Sequence, residues 1–240
     1  MTGLTIVASV WARTIFAMVL AGALFSARPV FGAEPRRPGW ELGARLGYGF
    51  AAGNTGAPPN ETDLALGDYV PGQIPLWLDA GYRLTGDIYV GAYFQYGIGI
   101  VNDDRQAGCR DANVDCSASD KRFGVMGRYN LPLAWPLSPW VGLGVGYEWG
   151  NFSVQQSVFG MTNTDSSWTG FEFANLQAGA DYQIGKYVAV GPFMSVSFGQ
   201  FRHRETTMSN DMTSVTTDVD LAKKSFHEWI MFGARIAFLP

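Results

Sequence analysis

The chain is poor in charge and nearly empty of lysine. Of its 240 residues only 16% are Asp, Glu, Lys or Arg, well below the ~25% of an average soluble domain. The lysines are Lys121, Lys186, Lys223 and Lys224, too few to clothe an ordinary water-facing surface. No basic tract is present, and 17 Lys and Arg stand against 21 Asp and Glu. That balance gives no electrostatic reason to sit on phosphate backbones, so nucleic acid is not an expected partner. Beyond residue 33 no segment holds the ~18 uninterrupted apolar residues of a transmembrane helix. If the chain enters a membrane, it does so as strands.

Two things are abundant. Glycine reaches 30 residues, or 12.5% against a usual ~7%, and aromatics reach 14% while mean hydropathy stays at +0.02. Much apolar surface is therefore dispersed rather than gathered in runs. The exception is the N-terminus, where Arg13 precedes an apolar run from Thr14 to Phe25 and a small-residue stretch ending at Gly32 and Ala33. That layout is a secretory signal, which divides the chain into residues 1–32 and a mature domain, 33–240. Export also exposes Cys109 and Cys116 to oxidising conditions. Neither His203 nor His227 is near them in sequence, so a disulfide is favoured over a metal site.

Period-2 alternation recurs eight times in the mature chain, each stretch long enough to cross a bilayer as a tilted strand of ~9 to 11 residues. From Trp40 to Phe50, one face carries Trp40, Leu42, Ala44, Leu46, Tyr48 and Phe50, and the other Glu41, Gly43, Arg45, Gly47 and Gly49. Further strands are expected at about 74–84, 88–100, 121–131, 141–150, 168–182, 187–199 and 226–238. The sixth is irregular, because Phe171, Glu172 and Phe173 reverse its polarity, and a bulge explains that. Short turns fall near Gly86, Pro136 and Gly185, and long polar loops at roughly 53–73, 102–120, 154–167 and 200–224.

Alternation alone does not separate a membrane barrel from a soluble one. The polar face decides, since it is Gly with scattered charge rather than Lys, Glu and Thr, and small residues alternating with large ones suit a narrow, filled barrel interior. The apolar face also carries aromatics at its two ends. Trp40, Tyr82, Tyr129 and Tyr182 are placed in a girdle at the short-turn side, and Tyr48, Phe50, Tyr96, Tyr147, Trp149 and Trp168 in one at the loop side. The expected fold is all-β, an eight-stranded antiparallel up-and-down transmembrane barrel.

This pattern, together with the closing strand from Trp229 to Phe238, resembles the small outer-membrane β-barrels of Gram-negative bacteria, the OmpA, OmpX and OmpW kind, over essentially the whole mature chain. Here Leu239 and Pro240 follow the terminal aromatic Phe238. The resemblance implies a monomer in the outer membrane with periplasmic termini and long surface loops. Outer-membrane lipids and lipopolysaccharide are its neighbours, and the barrel assembly machinery is its partner in biogenesis.

Projected inward are Glu41, Arg45, Asp79, Arg83, Arg122, Arg128, Glu148, Asp181 and Arg235, five cations against four anions. Asp79 and Arg128 are expected near mid-height, and Arg122 with Glu148 near the loops. In so narrow a lumen these charges must pair. The pairs serve either as a plug that stabilises a closed barrel or as a gate that exchanges partners. A structural or surface-interaction role is the first reading. A narrow channel for small or apolar solutes is the alternative, which the inward Trp77, Phe193 and Met126 leave open, and a lipid A-modifying enzyme is the third.

Neither histidine lies in a His-x-Ser pair, and a Ser225, His227 and Glu228 constellation is disfavoured because neighbouring strand residues face opposite sides. No catalytic residue and no cofactor is therefore expected. The Asp cluster around Asp103, Asp104, Asp111 and Asp115 fits no EF-hand spacing and reads as a solvated acidic loop. Arg202, Arg204, Lys223 and Lys224 make the fourth loop more basic.

Overall fold

The computed structural model describes residues 37–102, 109, 111, 113–132, 137–157 and 161–239. The expected leader, the turn at Pro136 and the acidic residues Asp103 and Asp104 lie outside them. Among the described residues nine strands form: β1 (Gly39–Gly53), β2 (Gly72–Arg83), β3 (Ile88–Ile100), β4 (Val114–Asn130), β5 (Leu137–Gln156), β6 (Thr162–Ile184), β7 (Val188–Asn210), β8 (Ser214–Asp220) and β9 (Phe226–Phe238), with one short helix, α1 (Leu66–Tyr69), between β1 and β2. Every pairing is antiparallel. Strands β1 to β7 follow in order, β9 pairs with both β7 and β1, and eight strands close a ring. Strand β8 pairs with β7 above the ring.

Burial inverts the soluble pattern. Along β1, Leu42, Leu46 and Phe50 are 52%, 58% and 48% exposed, while Glu41 and Arg45 between them are at 0% and 1%. The same holds around the ring, where Leu76, Leu78, Val90, Phe94, Val125, Leu143 and Ile236 all point outward. An apolar belt of this extent is stable only against lipid. Glycines on the inward face make room for the large polar side chains they meet. A Cβ at Gly43 collides with the Asp79 carboxylate, and one at Gly179 with the Trp140 ring.

Two of the expected long loops, at 154–167 and 200–224, are largely strand, and β4 begins inside a third, at Val114. Strands β4 to β7 run well past the ends forecast from alternation, and β6 and β7 have 23 residues each, roughly 75 Å of extended chain, far more than a bilayer requires. The fourth loop folds into the β7–β8 hairpin, with Thr206 opposite Thr217 and Ser209 opposite Ser214. Backbone pairing satisfies these polar, Thr-rich stretches without an apolar face, which is why they show no alternation. The irregular sixth strand does carry bulges, at Thr169/Gly170 and Glu172/Ala174. The second lets Phe171 and Phe173 stay outward while Asn175 and Gln177 remain inside.

Candidate functional site

The lumen holds two tiers of charge. At the short-turn end Glu41 is the junction, with Arg83, Arg128 and Arg235 each 2.5 Å away. Arg235 also reaches Asp181 at 2.8 Å and Asp79 at 3.7 Å. Arg45 donates from Nε to Asp79 at 3.1 Å and from Nη1 to Oε1 of Gln177 at 2.8 Å. Indole Nε1 of Trp140 donates to Asp181 at 3.1 Å, and its ring lies beneath Arg45, Arg128 and Arg235 at 5.4 to 5.6 Å. The links cross the lumen from β1 to β2, β4, β6 and β9. Among the described residues this tier contains four arginines and three carboxylates, and Asp79 and Arg128 belong to it rather than to a separate middle layer.

The tier nearer the loops has the opposite composition. Arg122 meets Asp120 at 2.7 Å, Glu148 at 2.9 Å and Glu172 at 3.6 Å, and donates to Ser197 at 2.8 Å. Nε2 of His227 lies 2.8 Å from the second oxygen of Glu148, with Phe201 stacked on the imidazole at 4.1 Å. Tyr93 donates to Glu172, and Asn175 donates to its other oxygen at 2.7 Å. Between the tiers Trp77, Tyr93, Met126, Phe193 and Met231 fill the lumen.

All nine residues projected inward from the sequence are buried inside the ring. The count of five cations against four anions is corrected, because Asp120 and Glu172 are also inside and make six anions. Asp120 falls in the expected loop at 102–120, although it stands two residues before Arg122 on the same face. Glu172 is turned inward by the bulge, which no period-2 count crosses. His227 was legible as an inward residue, being in phase with Arg235 along β9.

Of the girdle residues, Trp40, Phe50, Tyr82, Tyr96, Tyr129 and Tyr182 are exposed on the outer face. Trp40 meets Tyr82 edge-on at 5.6 Å. Tyr147 and Trp149, half-exposed, cluster with Phe123 and the outward Phe171 at 4.7 to 6.4 Å. Trp168 is a correction. It is 7% exposed and packs inside with Phe152, Phe201 and Leu221, because the bulge at Glu172/Ala174 inverts the phase of the strand above it.

Loop 1, residues 54–71, caps the lumen. Leu66 is buried in one apolar cluster with Trp77, Tyr93, Trp229 and Met231, and Tyr69 meets Phe152 and Trp168 at 5.7 and 5.8 Å. The cap is held by Asp63, which accepts from the Gly56 amide at 2.9 Å, from Ser225 at 2.5 Å and from Asn54 at 3.2 Å, and lies 3.1 Å from Lys223. Burial acts to raise the Asp63 carboxyl, but hydrogen bonds from Ser225, Asn54 and Lys223 outweigh it and hold the pKa below its ordinary value. Glu61 pairs with Arg204 at 2.8 Å, tying the cap to the β7–β8 hairpin. Ser225, His227 and Glu228 do not form a catalytic set, since Ser225 is engaged with Asp63 and His227 with Glu148. On the hairpin, His203 pairs with both Asp218 and Asp220. Cys109 and Cys116 are disulfide-bonded.

No protein-family model matches the sequence, and no curated protein matches it significantly. Among solved structures the chain is similar to a major outer membrane protein from Thermus thermophilus, with a TM-score of 0.56 and 12% identity over 83% of this chain and 100% of that one. Outer membrane protein AlkL is 15% identical over 89% of this chain and 96% of its own, at a TM-score of 0.43. OprG from Pseudomonas aeruginosa is 14% identical over 86% and 99%, also at 0.43. The chain has the fold of the small outer-membrane β-barrels.

Proposed function

We propose that this chain is a closed, non-enzymatic barrel of the bacterial outer membrane. Its filled lumen makes it a rigid support for the surface hairpins built on β4 to β8. The observation that carries this reading is Glu41, which binds arginines from β2, β4 and β9 and so crosses the lumen that a channel must keep open. An outward apolar belt with aromatics at both ends supports placement in a bilayer, with lipids and lipopolysaccharide as surroundings and the barrel assembly machinery acting on the closing strand.

The test is ion conductance of the purified, refolded barrel in a planar bilayer. Protein that is shown to be folded by its heat-modifiable migration is expected to give no discrete steps. Steps in the native protein that change with Glu41→Gln or Arg128→Ala overturn the closed reading and establish a narrow channel instead.

A further inference from the structure

Between loop 1 and the upper tier lies a cavity of about 40 Å³, room for a group of one or two heavy atoms or a water or two. Tyr69 of loop 1, Phe152 and Trp168 supply aromatic surface to it, and Gln73, Asp120 and Glu148 line its charged side. Two independent features point to a ligand there.

The first is charge. Asp120, Glu148 and Glu172 converge on the single guanidinium of Arg122, and among the described residues His227, held by Glu148, is the only other group there able to carry positive charge. Carboxyl groups gathered out of water around one guanidinium leave acceptor capacity for a further cationic donor. The second is hydrogen bonding. Gln73 is fully buried, yet neither its Oε1 nor its Nε2 has a partner among the described residues. Buried polar groups are rarely left so.

We propose that this cavity binds a small organic ammonium, a primary amine of the size of methylammonium, entering from the outer face past loop 1. The three donors of such a group are met by Asp120, Glu148 and Oε1 of Gln73, and its methyl carbon packs on the rings of Tyr69, Phe152 and Trp168, whose faces favour a cation. Nε2 of Gln73 is left to a water. A divalent metal is a poorer match, because among the described residues no three His, Cys, Asp or Glu side chains are placed to hold one. This inference goes beyond the closed-barrel reading and is read by binding rather than conductance, so the two fail separately.

The experiment titrates methylammonium chloride into the refolded full-length mature barrel in nanodiscs, following the indole N–H resonances of Trp168 and Trp229. KCl and methanol serve as the ionic and neutral controls. A saturable shift with methylammonium alone is expected. Asp120→Asn is expected to weaken it at least tenfold, and Tyr69→Ala, which alters loop 1 and not the barrel wall, severalfold. Absence of a saturable shift overturns the proposal, as does an equal response to KCl or methanol, or native affinity in a folded Asp120→Asn barrel.

Discussion

The two tiers of the lumen use the same chemistry to opposite balance. The lower sets four arginines against three carboxylates, and each carboxylate meets at least one guanidinium. The upper sets one arginine and one histidine against three carboxylates. Removing one member of a complete buried network strands its partners, whereas removing one of three acids that share a cation relieves repulsion. The lower tier is therefore the structural brace, and the upper tier is the part of the lumen where a change of charge is tolerated.

Glu41→Gln should be the most damaging change in the barrel. It leaves three guanidiniums without their shared carboxylate, at a cost of about 3–5 kcal/mol, read from the urea midpoint of the detergent-solubilised protein. A loss no larger than that of an outer-surface substitution would erase the distinction between the tiers. Next comes Asp63→Asn, which should loosen loop 1 by about 1–2 kcal/mol through weakened charge-assisted hydrogen bonds, seen as faster amide exchange over residues 54–71. Because the Asp63 pKa is depressed by folding, its contribution is present above the ordinary carboxylate range and is lost as pH falls through the depressed value. Protection of the loop 1 amides, taken relative to intrinsic exchange, should thus fall at acid pH in the native chain and be nearly insensitive to pH there in the variant.

Asp120→Asn sharpens the comparison from the other side. Stability should change by less than about 1 kcal/mol, since lost attraction to Arg122 is offset by relief from Glu148 and Glu172, and a loss matching Glu41→Gln would show both tiers to be braces. The smallest effect is expected outside the lumen. The His203 pKa is raised above its usual value by its hydrogen bond to Asp220, with Asp218 adding to it. The resulting stabilisation of the β7–β8 hairpin is full below the unfolded histidine pKa and disappears as pH rises through the folded one. Proton NMR of His203 should show the upward shift, and His203→Gln should abolish the pH dependence of hairpin protection, taken relative to intrinsic exchange.

Much of the barrel was legible because lipid imposes a strict rule on strands. Leu42, Leu46 and Phe50 must alternate with Glu41 and Arg45 when one side of the sheet is hydrocarbon and the other is a crowded lumen. The rule stops where the bilayer stops. Above it, β4 to β8 pair through their backbones with polar residues on both faces, and no periodicity marks Thr206 or Thr217 as strand. Glu172 and Trp168 were misplaced for a related reason, since a bulge adds one residue and inverts the phase of everything beyond it.

The sequence by itself determined the class of fold, the outward apolar belt and the nine charges that face inward, because each follows from local alternation against a known solvent. Only the tertiary structure decided which charges meet. Glu41 and Arg235 are 194 residues apart, and their pairing depends on the register with which β9 closes on β1. That register also seats loop 1 over the lumen and gathers Asp120, Glu148 and Glu172 around Arg122, since closure of the ring fixes distances that no single strand contains.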